Sequence, residues 1–288
     1  MAATTPAATL GWDQVIAWRA ARHHLVERAP AKAMLEVVAD IAGLHAQVMS
    51  SAELTLSSRV DDLGPDAVRH APWEERSLVK TWAMRGTLHL LPAAELPMWQ
   101  GALSTRRPWE SGAWQRGFGV TLAELERLND AVAQALDGQL LTREELAARV
   151  GELTGFPALG GKLRESWGTM LKPAATLGLL CFAPSKGQQV RFTSPGTWLG
   201  GWAARDPEEA MDEVTRRFLA PGLAVAGAAG RGRMEGVWRQ EGKGRRVQVT
   251  IEPFAGPPAA WARRAAEAEA ERLAASAGGQ LELRWADA

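Results

Sequence analysis

The chain has 288 residues, of which 46% are hydrophobic and 23% charged, a balance typical of a globular protein with two or three compact domains. The single Cys181 excludes a disulfide framework and a cysteine-based zinc site. The 33 Lys and Arg residues equal the 33 Asp and Glu residues in number, so no global field can steer the protein to a polyanion.

The sequence shows no signal for secretion or for membrane insertion. Its N-terminal stretch lacks a basic segment followed by an apolar core, and no window of about 18 apolar residues occurs. We therefore expect a cytoplasmic protein that does not bind a membrane.

Apolar spacing in the first hundred residues predicts helices followed by a hairpin. The predicted helices are 13–26, 31–43 and about 51–60, with a further helix after residue 66. The strands 78–84 and 87–91 then follow, with a turn at Arg85–Gly86. Helices closed by a two-stranded hairpin are the order of a winged helix, a variant of the helix-turn-helix.

The same order recurs in the middle of the chain. Thr142 and Glu145 form a capping box at the start of a helix over 142–153. A recognition-type helix is predicted over 162–180, and two strands follow across a turn at 184–187. The recurrence favours tandem winged helices.

The last third begins like another such unit but lacks its middle helices. A helix over 207–220 leads through a Gly- and Ala-rich stretch into strands 232–240 and 245–254, then a helix ending near 279 and a strand over 280–285. We predict a mainly α fold with small β hairpins, in the α+β class, whose third unit is abbreviated. The predicted domains are 10–105, 118–205 and 206–288.

Basic residues are concentrated in one segment despite the neutral total. Residues 161–205 hold six Lys and Arg against Glu165 alone. On or beside the predicted recognition helix and its wing, the candidate phosphate ligands are Lys162, Arg164, Lys172, Lys186 and Arg191. Such contacts give salt-dependent affinity without base preference. An ordinary solvated face is the alternative interpretation.

Three stretches resemble a known family. They are GLHAQ at 43–47, TWAMRGTLHLLPAAELP at 81–97 and GVWRQEGKGRRVQVTIEPF at 236–254. Together they resemble the winged-helix DNA-binding family that includes the AlkZ-type bacterial DNA glycosylases and their YcaQ-like relatives. The middle stretch is the most specific of the three.

The resemblance implies a function. In that family, tandem winged helices surround damaged duplex DNA, and two polar residues flanking an arbitrary one position the hydrolytic water. The matching residues here are His45 and Gln47, and a His at the first position resembles a resistance-type subgroup. The implied activity is a DNA glycosylase that hydrolyses bulky N7-alkylated purines from DNA, in repair or self-resistance, without metal or cofactor.

The chemistry suits these residue types. An N7-alkylated purine leaves as a good leaving group, so the enzyme must mainly hold a water against the anomeric carbon and support a sugar with oxocarbenium character. The Gln47 amide oxygen can hold that water, and a neutral His45 can accept its proton. A His-x-Gln after a helix is more often a cap or a core arrangement, and that alternative stays open.

Further candidates lie in the hairpin. Arg85 and Thr87 are candidate DNA contacts in the strand turn, although an arginine bracing the turn on a carboxylate is as common. His89, between two leucines, is interpreted as a hydrogen-bonded structural histidine. The adjacent His23 and His24 face different directions on a helix, which argues against a shared metal. No metal-ligand motif, Walker loop or dinucleotide fingerprint occurs in the sequence.

Two rival functions remain. One is a non-catalytic winged-helix DNA-binding protein or regulator, which the abbreviated third unit favours. The other is a winged-helix protein that binds protein rather than DNA, which the zero net charge permits. In the leading interpretation the protein is a monomer whose partner is damaged double-stranded DNA.

Overall fold

The computed structural model of the protein describes residues 11–64, 66–166, 168–219, 236–243, 246–254, 256, 258–276 and 278–286. The chain divides into two compact units. One comprises the described parts of Met1–Asp40, Leu54–Ala67 and Pro221–Ala288, and the other comprises those of Ile41–Glu53 and Val68–Ala220. The predicted division into three consecutive domains stays a prediction, because the division into compact units does not show where a winged helix begins or ends.

Helices and short strands alternate along the described residues, which confirms the predicted mixed α+β class. The helices are α1 Trp12–Arg22, α2 Met34–Asp40, α3 Met49–Ser57, α4 Ala67–Trp73, α5 Leu96–Ser104, α6 Gly112–Phe118, α7 Leu122–Leu136, α8 Arg143–Thr154, α9 Pro157–Glu165, α10 Lys172–Thr176, α11 Pro195–Leu199, α12 Pro207–Leu219 and α13 Ala260–Ser276. The strands are β1 Ala29–Pro30, β2 Leu44–His45, β3 Val60–Asp61, β4 Leu78–Trp82, β5 Leu88–Pro92, β6 Leu141–Thr142, β7 Cys181–Lys186, β8 Gln189–Thr193, β9 Gly236–Lys243, β10 Arg246–Pro253 and β11 Gln280–Trp285.

The first winged helix contains a strand that periodicity did not predict. The sheet order is β2-β5-β4, with β4 and β5 forming the predicted hairpin and β2 pairing antiparallel with β5. The sequence predicted a helix that stops near residues 43–45, but α2 ends at Asp40. The reason is the turn at Ala42 and Gly43, both of which have positive φ and so end the helix.

Gly43 lets β2 approach β5 closely. Its φ is +91°, and a Cβ on it would lie 2.6 Å from the Leu91 side chain and 3.1 Å from the Leu90 carbonyl oxygen. A larger residue would therefore push β2 away from the sheet as well as strain the turn. The close approach fixes the strand that carries His45.

The second winged helix repeats the pattern with sheet order β6-β8-β7. The predicted capping box is confirmed: the Thr142 hydroxyl accepts from the backbone N–H of Glu145, and the Glu145 carboxylate accepts from that of Thr142. The predicted continuous helix over 162–180 is wrong. The chain instead forms α9, a 3-10 turn at Thr169–Leu171 and α10.

This break follows from one glycine. Gly168 has φ +89°, and a Cβ there would lie 2.7 Å from the Trp82 ring. Helical periodicity in the sequence continues through the region, so the tertiary contact with Trp82 decides the local structure. The consequence is that Lys172 begins a separate helix.

The two winged helices share one hydrophobic core. Trp82 of the first hairpin packs against Phe182 and Phe192 of the second, with ring centroids 4.8 Å and 6.1 Å away. The cluster continues through residues of α7, α8 and α10. Because the core is common to both, the two hairpins belong to one packed unit.

The C-terminal region forms its own sheet. In the order β11-β10-β9, β10 runs antiparallel to β9 and parallel to β11, with α13 as the crossover between the parallel pair. Val247 and Val249 pack against Ala270 and Ala274 of α13. The predicted Gly- and Ala-rich stretch and the proposed abbreviation near residue 220 lie outside the described residues.

Cys181 is fully buried, and burial raises the pKa of its thiol to about 12. It is therefore a packing residue rather than a nucleophile. Among the described residues, no helix is both long enough and apolar enough to span a bilayer.

Candidate active site

The His45–Gln47 motif lies at the edge of the first sheet. His45 and Gln47 are both exposed, whereas Ala46 between them is fully buried. β2 ends at His45, and Gln47 lies in the bend that follows. The imidazole and the carboxamide are both open to solvent, so the interpretation of the motif as a core arrangement is wrong.

A row of polar residues crosses the same face of the sheet. His45 lies directly opposite His89 on β5, and His89 lies directly opposite Thr81 on β4. His89 and Thr81 are buried, at 6% and 0% exposure, so the row passes from the interior to the solvent. Further along this face, Val79 and Leu91 belong to the hydrophobic core. The polar site therefore begins where the core ends.

His89 is held by a hydrogen bond to the turn. Its Nδ1 lies 3.0 Å from the Thr87 carbonyl oxygen, and since a carbonyl only accepts, Nδ1 is the donor. This confirms the interpretation of His89 as a hydrogen-bonded histidine. Burial lowers the pKa of His89, the bond to Thr87 opposes that effect, and the charges of His45 and Arg85 lower it further. His89 is thus neutral at pH 7.

The lowered pKa of His89 predicts an acid-sensitive fold. In the unfolded chain a histidine binds a proton near pH 6.5, whereas the folded chain binds it only at lower pH. In that window the unfolded state carries more protons, so the free energy of unfolding falls as the pH is lowered, by at most about 1.4 kcal/mol per pH unit for one group. Urea unfolding between pH 7.5 and 5 should show a shallower decline for His89→Phe than for the wild type, and equal declines would contradict the assignment.

The turn after β4 presents Arg85 in a strained conformation. Arg85 and Gly86 both have positive φ, 57° and 68°, and the Thr87 amide and hydroxyl both donate to the Met84 carbonyl oxygen at 3.2 and 3.0 Å. A non-glycine residue in this region costs about 1 kcal/mol. The Arg85 side chain is exposed. Thr87 braces the turn, and Arg85 has no carboxylate at ion-pair distance in the described part of the chain.

Lys172 of α10 reaches this turn from the second winged helix. Its ammonium Nζ lies 3.5 Å from the position that a Cβ would take on Gly86. Lys172 therefore lies beside the turn that carries Arg85, although the two predicted DNA contacts are far apart in sequence. Sequence reasoning assigned Lys172 to a recognition helix; its place beside Gly86 depends on the break at Gly168, which periodicity does not reveal.

The remaining predicted cations have different surroundings. Lys162 donates to the Gly119 carbonyl oxygen at 2.6 Å, Lys186 lies 3.9 Å from Glu145, and Arg191 donates to the Pro184 carbonyl oxygen at 2.6 Å. Arg164 is exposed on α9. Lys162, Lys186 and Arg191 already have partners within the protein. Arg85, Arg164 and Lys172 are therefore the better candidates for binding phosphate.

The donor set offers no metal centre. Among the described residues, no three His, Cys, Asp or Glu side chains come together as a metal site. The candidate side chains on the sheet edge and on the turn are imidazole, carboxamide, guanidinium and ammonium. Such a set can hold a water, accept a proton and bind phosphate oxygens.

These features define a tandem winged-helix protein with an exposed polar pair at the edge of its first sheet and cations beside it. The sequence matches the family described as DNA glycosylase AlkZ-like over residues 38–229. The chain belongs to this family.

A curated protein and a solved structure support the assignment. The interstrand DNA cross-link repair glycosylase of Streptomyces sahachiroi is 38% identical over 210 residues, which cover 72% of this chain and 56% of that protein. The chain thus spans little more than half the length of this curated relative. The solved structure of the Streptomyces sahachiroi DNA glycosylase AlkZ matches with a TM-score of 0.83 and 27% identity, covering 97% of this chain and all of that one.

Proposed function

We propose that this protein is a monofunctional DNA glycosylase that hydrolyses the N-glycosidic bond of bulky N7-alkylated purines in double-stranded DNA. The observation that carries the proposal is the joint exposure of His45 and Gln47 on either side of buried Ala46. Membership of the AlkZ-like family and the name of the Streptomyces sahachiroi relative support the same chemistry.

The leaving group of this reaction needs little assistance from the enzyme. An N7-alkylated purine departs with its positive charge neutralised, so a strong general acid is unnecessary. His45 accepts a proton from the attacking water while the Gln47 amide oxygen orients it toward the anomeric carbon. The two side chains thereby supply a nucleophile where the sugar gains oxocarbenium character.

Cations beside this pair serve a different purpose. A positive charge disfavours an oxocarbenium ion, so Arg85 and Lys172 would oppose catalysis if they faced the sugar. Bound to DNA phosphates, they instead hold negative charge of the substrate close to the reacting sugar. We therefore assign Arg85 and Lys172 to the backbone flanking the lesion, with Arg164 as a further phosphate contact.

Replacing Arg85 or Lys172 by alanine should weaken DNA binding and its salt dependence together. Each lost phosphate contact should reduce the slope of log Kd against log salt by about 1. Fluorescence anisotropy with a lesion-bearing duplex at several salt concentrations measures both quantities. Arg263→Ala is the control, since Arg263 pairs with Glu267 on α13; a slope unchanged in both test variants would contradict the assignment.

The activity is tested by incubating the protein with a duplex that carries one N7-alkylguanine and measuring abasic sites after alkaline cleavage. Release of the modified base from this duplex, but not from undamaged DNA, is the expected result. A duplex with an interstrand cross-link, included in parallel, decides whether the substrate range extends to the lesion named for the relative.

A salt-sensitive gel shift without turnover on either substrate would instead identify a non-catalytic winged-helix DNA-binding protein. Absence of DNA binding at low salt would point to a protein partner. Sedimentation of the free protein tests the accompanying prediction of a monomer.

A further inference from the structure

His89 is the one other titratable side chain in the row that carries His45. The two residues are directly opposite on β5 and β2. The Ala46 amide donates to the Leu88 carbonyl oxygen at 2.8 Å, which makes 46 and 88 a hydrogen-bonded pair and 45 and 89 a non-hydrogen-bonded one. Side chains approach most closely at pairs of the latter kind.

The two imidazoles make a defined ring contact. Their centroids are 5.5 Å apart and their planes are at 87°, an edge-to-face arrangement within the favoured range for aromatic pairs. The Nδ1 proton of His89 goes to Thr87 and not to His45. The contact between the two rings is edge-to-face packing, which restrains their relative orientation.

The His89 ring of this pair is held in place, whereas the outer side of the His45 ring is exposed to solvent. His89 is buried between β2 and β4, with fully buried Thr81 opposite it and its Nδ1 bonded to the turn. The charged or titratable groups whose fields reach it are His45 and Arg85. His45 is exposed, so its only ring neighbour in the described residues is His89.

We propose that His89 is a positioning residue for His45: its fixed ring holds the exposed imidazole edge-to-face, so that His45 stands beside Gln47 in the orientation that accepts a proton from the water. The inference rests on the proposed function for its catalytic consequence. Its structural part, the restraint of the His45 ring, holds independently of any activity.

The test compares His89→Leu, which fills the buried site without a ring, with His89→Phe, which restores a ring without ring nitrogens. Thr81→Val is the matched control, because it removes the hydroxyl from the same row without touching His45. All are made in the full chain. The chain has five histidines, so selective histidine labelling resolves the imidazole NMR signals of each variant.

The first readout is the His45 imidazole signal in the free protein. His89→Leu should move and broaden it toward that of an unrestrained histidine, whereas His89→Phe and Thr81→Val should leave it close to wild type. The second readout is single-turnover base release: about 10-fold or more slower in His89→Leu at unchanged DNA Kd, and largely restored in His89→Phe.

A His45 signal unchanged in folded His89→Leu overturns the proposal, and so does a rate loss matched by an equal loss of DNA affinity. If no variant nor the wild type releases a base, the proposed function fails while the NMR comparison still decides the positioning. If His89→Leu does not fold, the folded His89→Phe variant decides. A displaced His45 signal, or a release rate as low as that of a His45 variant, overturns the proposal. A native His45 signal together with a native release rate supports it.

Discussion

Alanine at His45 should lower the single-turnover rate of base release by about 10²-fold to 10³-fold, and alanine at Gln47 should do the same. Neither side chain is assigned to phosphate, so the Kd for lesion-bearing DNA should stay within about 2-fold of wild type. The double variant should be little slower than the worse single variant, because both residues act on one water and their effects are not additive.

Val48→Ala is the matched control for this comparison. Val48 is the next residue along the chain, is 59% exposed and has no polar group to hold water. Its release rate should stay near that of the wild type. Normal release by the double variant would contradict the proposed role of the motif, whereas a rate loss fully explained by weaker DNA binding would reassign the two residues to affinity.

Trp82→Ala should lower the free energy of unfolding by about 3–5 kcal/mol. Trp82 is 7% exposed and contacts the Phe182 and Phe192 rings, which belong to the other winged helix. The substitution opens a cavity in the core common to both hairpins. Urea unfolding followed by circular dichroism measures the loss.

Trp12→Ala provides the comparison for removal of an indole. Trp12 is 76% exposed, so its replacement should change stability by only about 0.5 kcal/mol. A Trp82 variant as stable as this control would contradict the shared core. A destabilised Trp82 variant should also lose base release at temperatures where the control retains it.

Local patterns were sufficient to predict most elements. Both hairpins, the Thr142–Glu145 capping box, α12, α13 and β11 follow from periodicity and capping signals within a few residues, and the structure has them. The motif letters also identified His45 and Gln47 as candidates. Their roles remain predictions that the experiments above test.

Helix α7 was not predicted, although the capping box of Thr121 and Glu124 marks its start. Two other features that the sequence did not predict depend on contacts between distant residues. The two-residue strand β2 is too short to show an alternating pattern, and it exists because Gly43 allows close pairing with β5. The helix break before Lys172 depends on the contact between Gly168 and Trp82. For the same reason, neither the His45–His89 contact nor the approach of Lys172 to Gly86 could be predicted.

The role of His45 as proton acceptor is tested most directly by single-turnover base release from a lesion-bearing duplex by wild type and His45→Gln, with spontaneous release subtracted. His45→Gln keeps an amide that can hold a water but cannot accept a proton from it, so its release rate should be about 10²-fold lower or more, at an unchanged Kd for DNA. Release by His45→Gln at the wild-type rate would contradict the account, because it would place the proton acceptor on another residue.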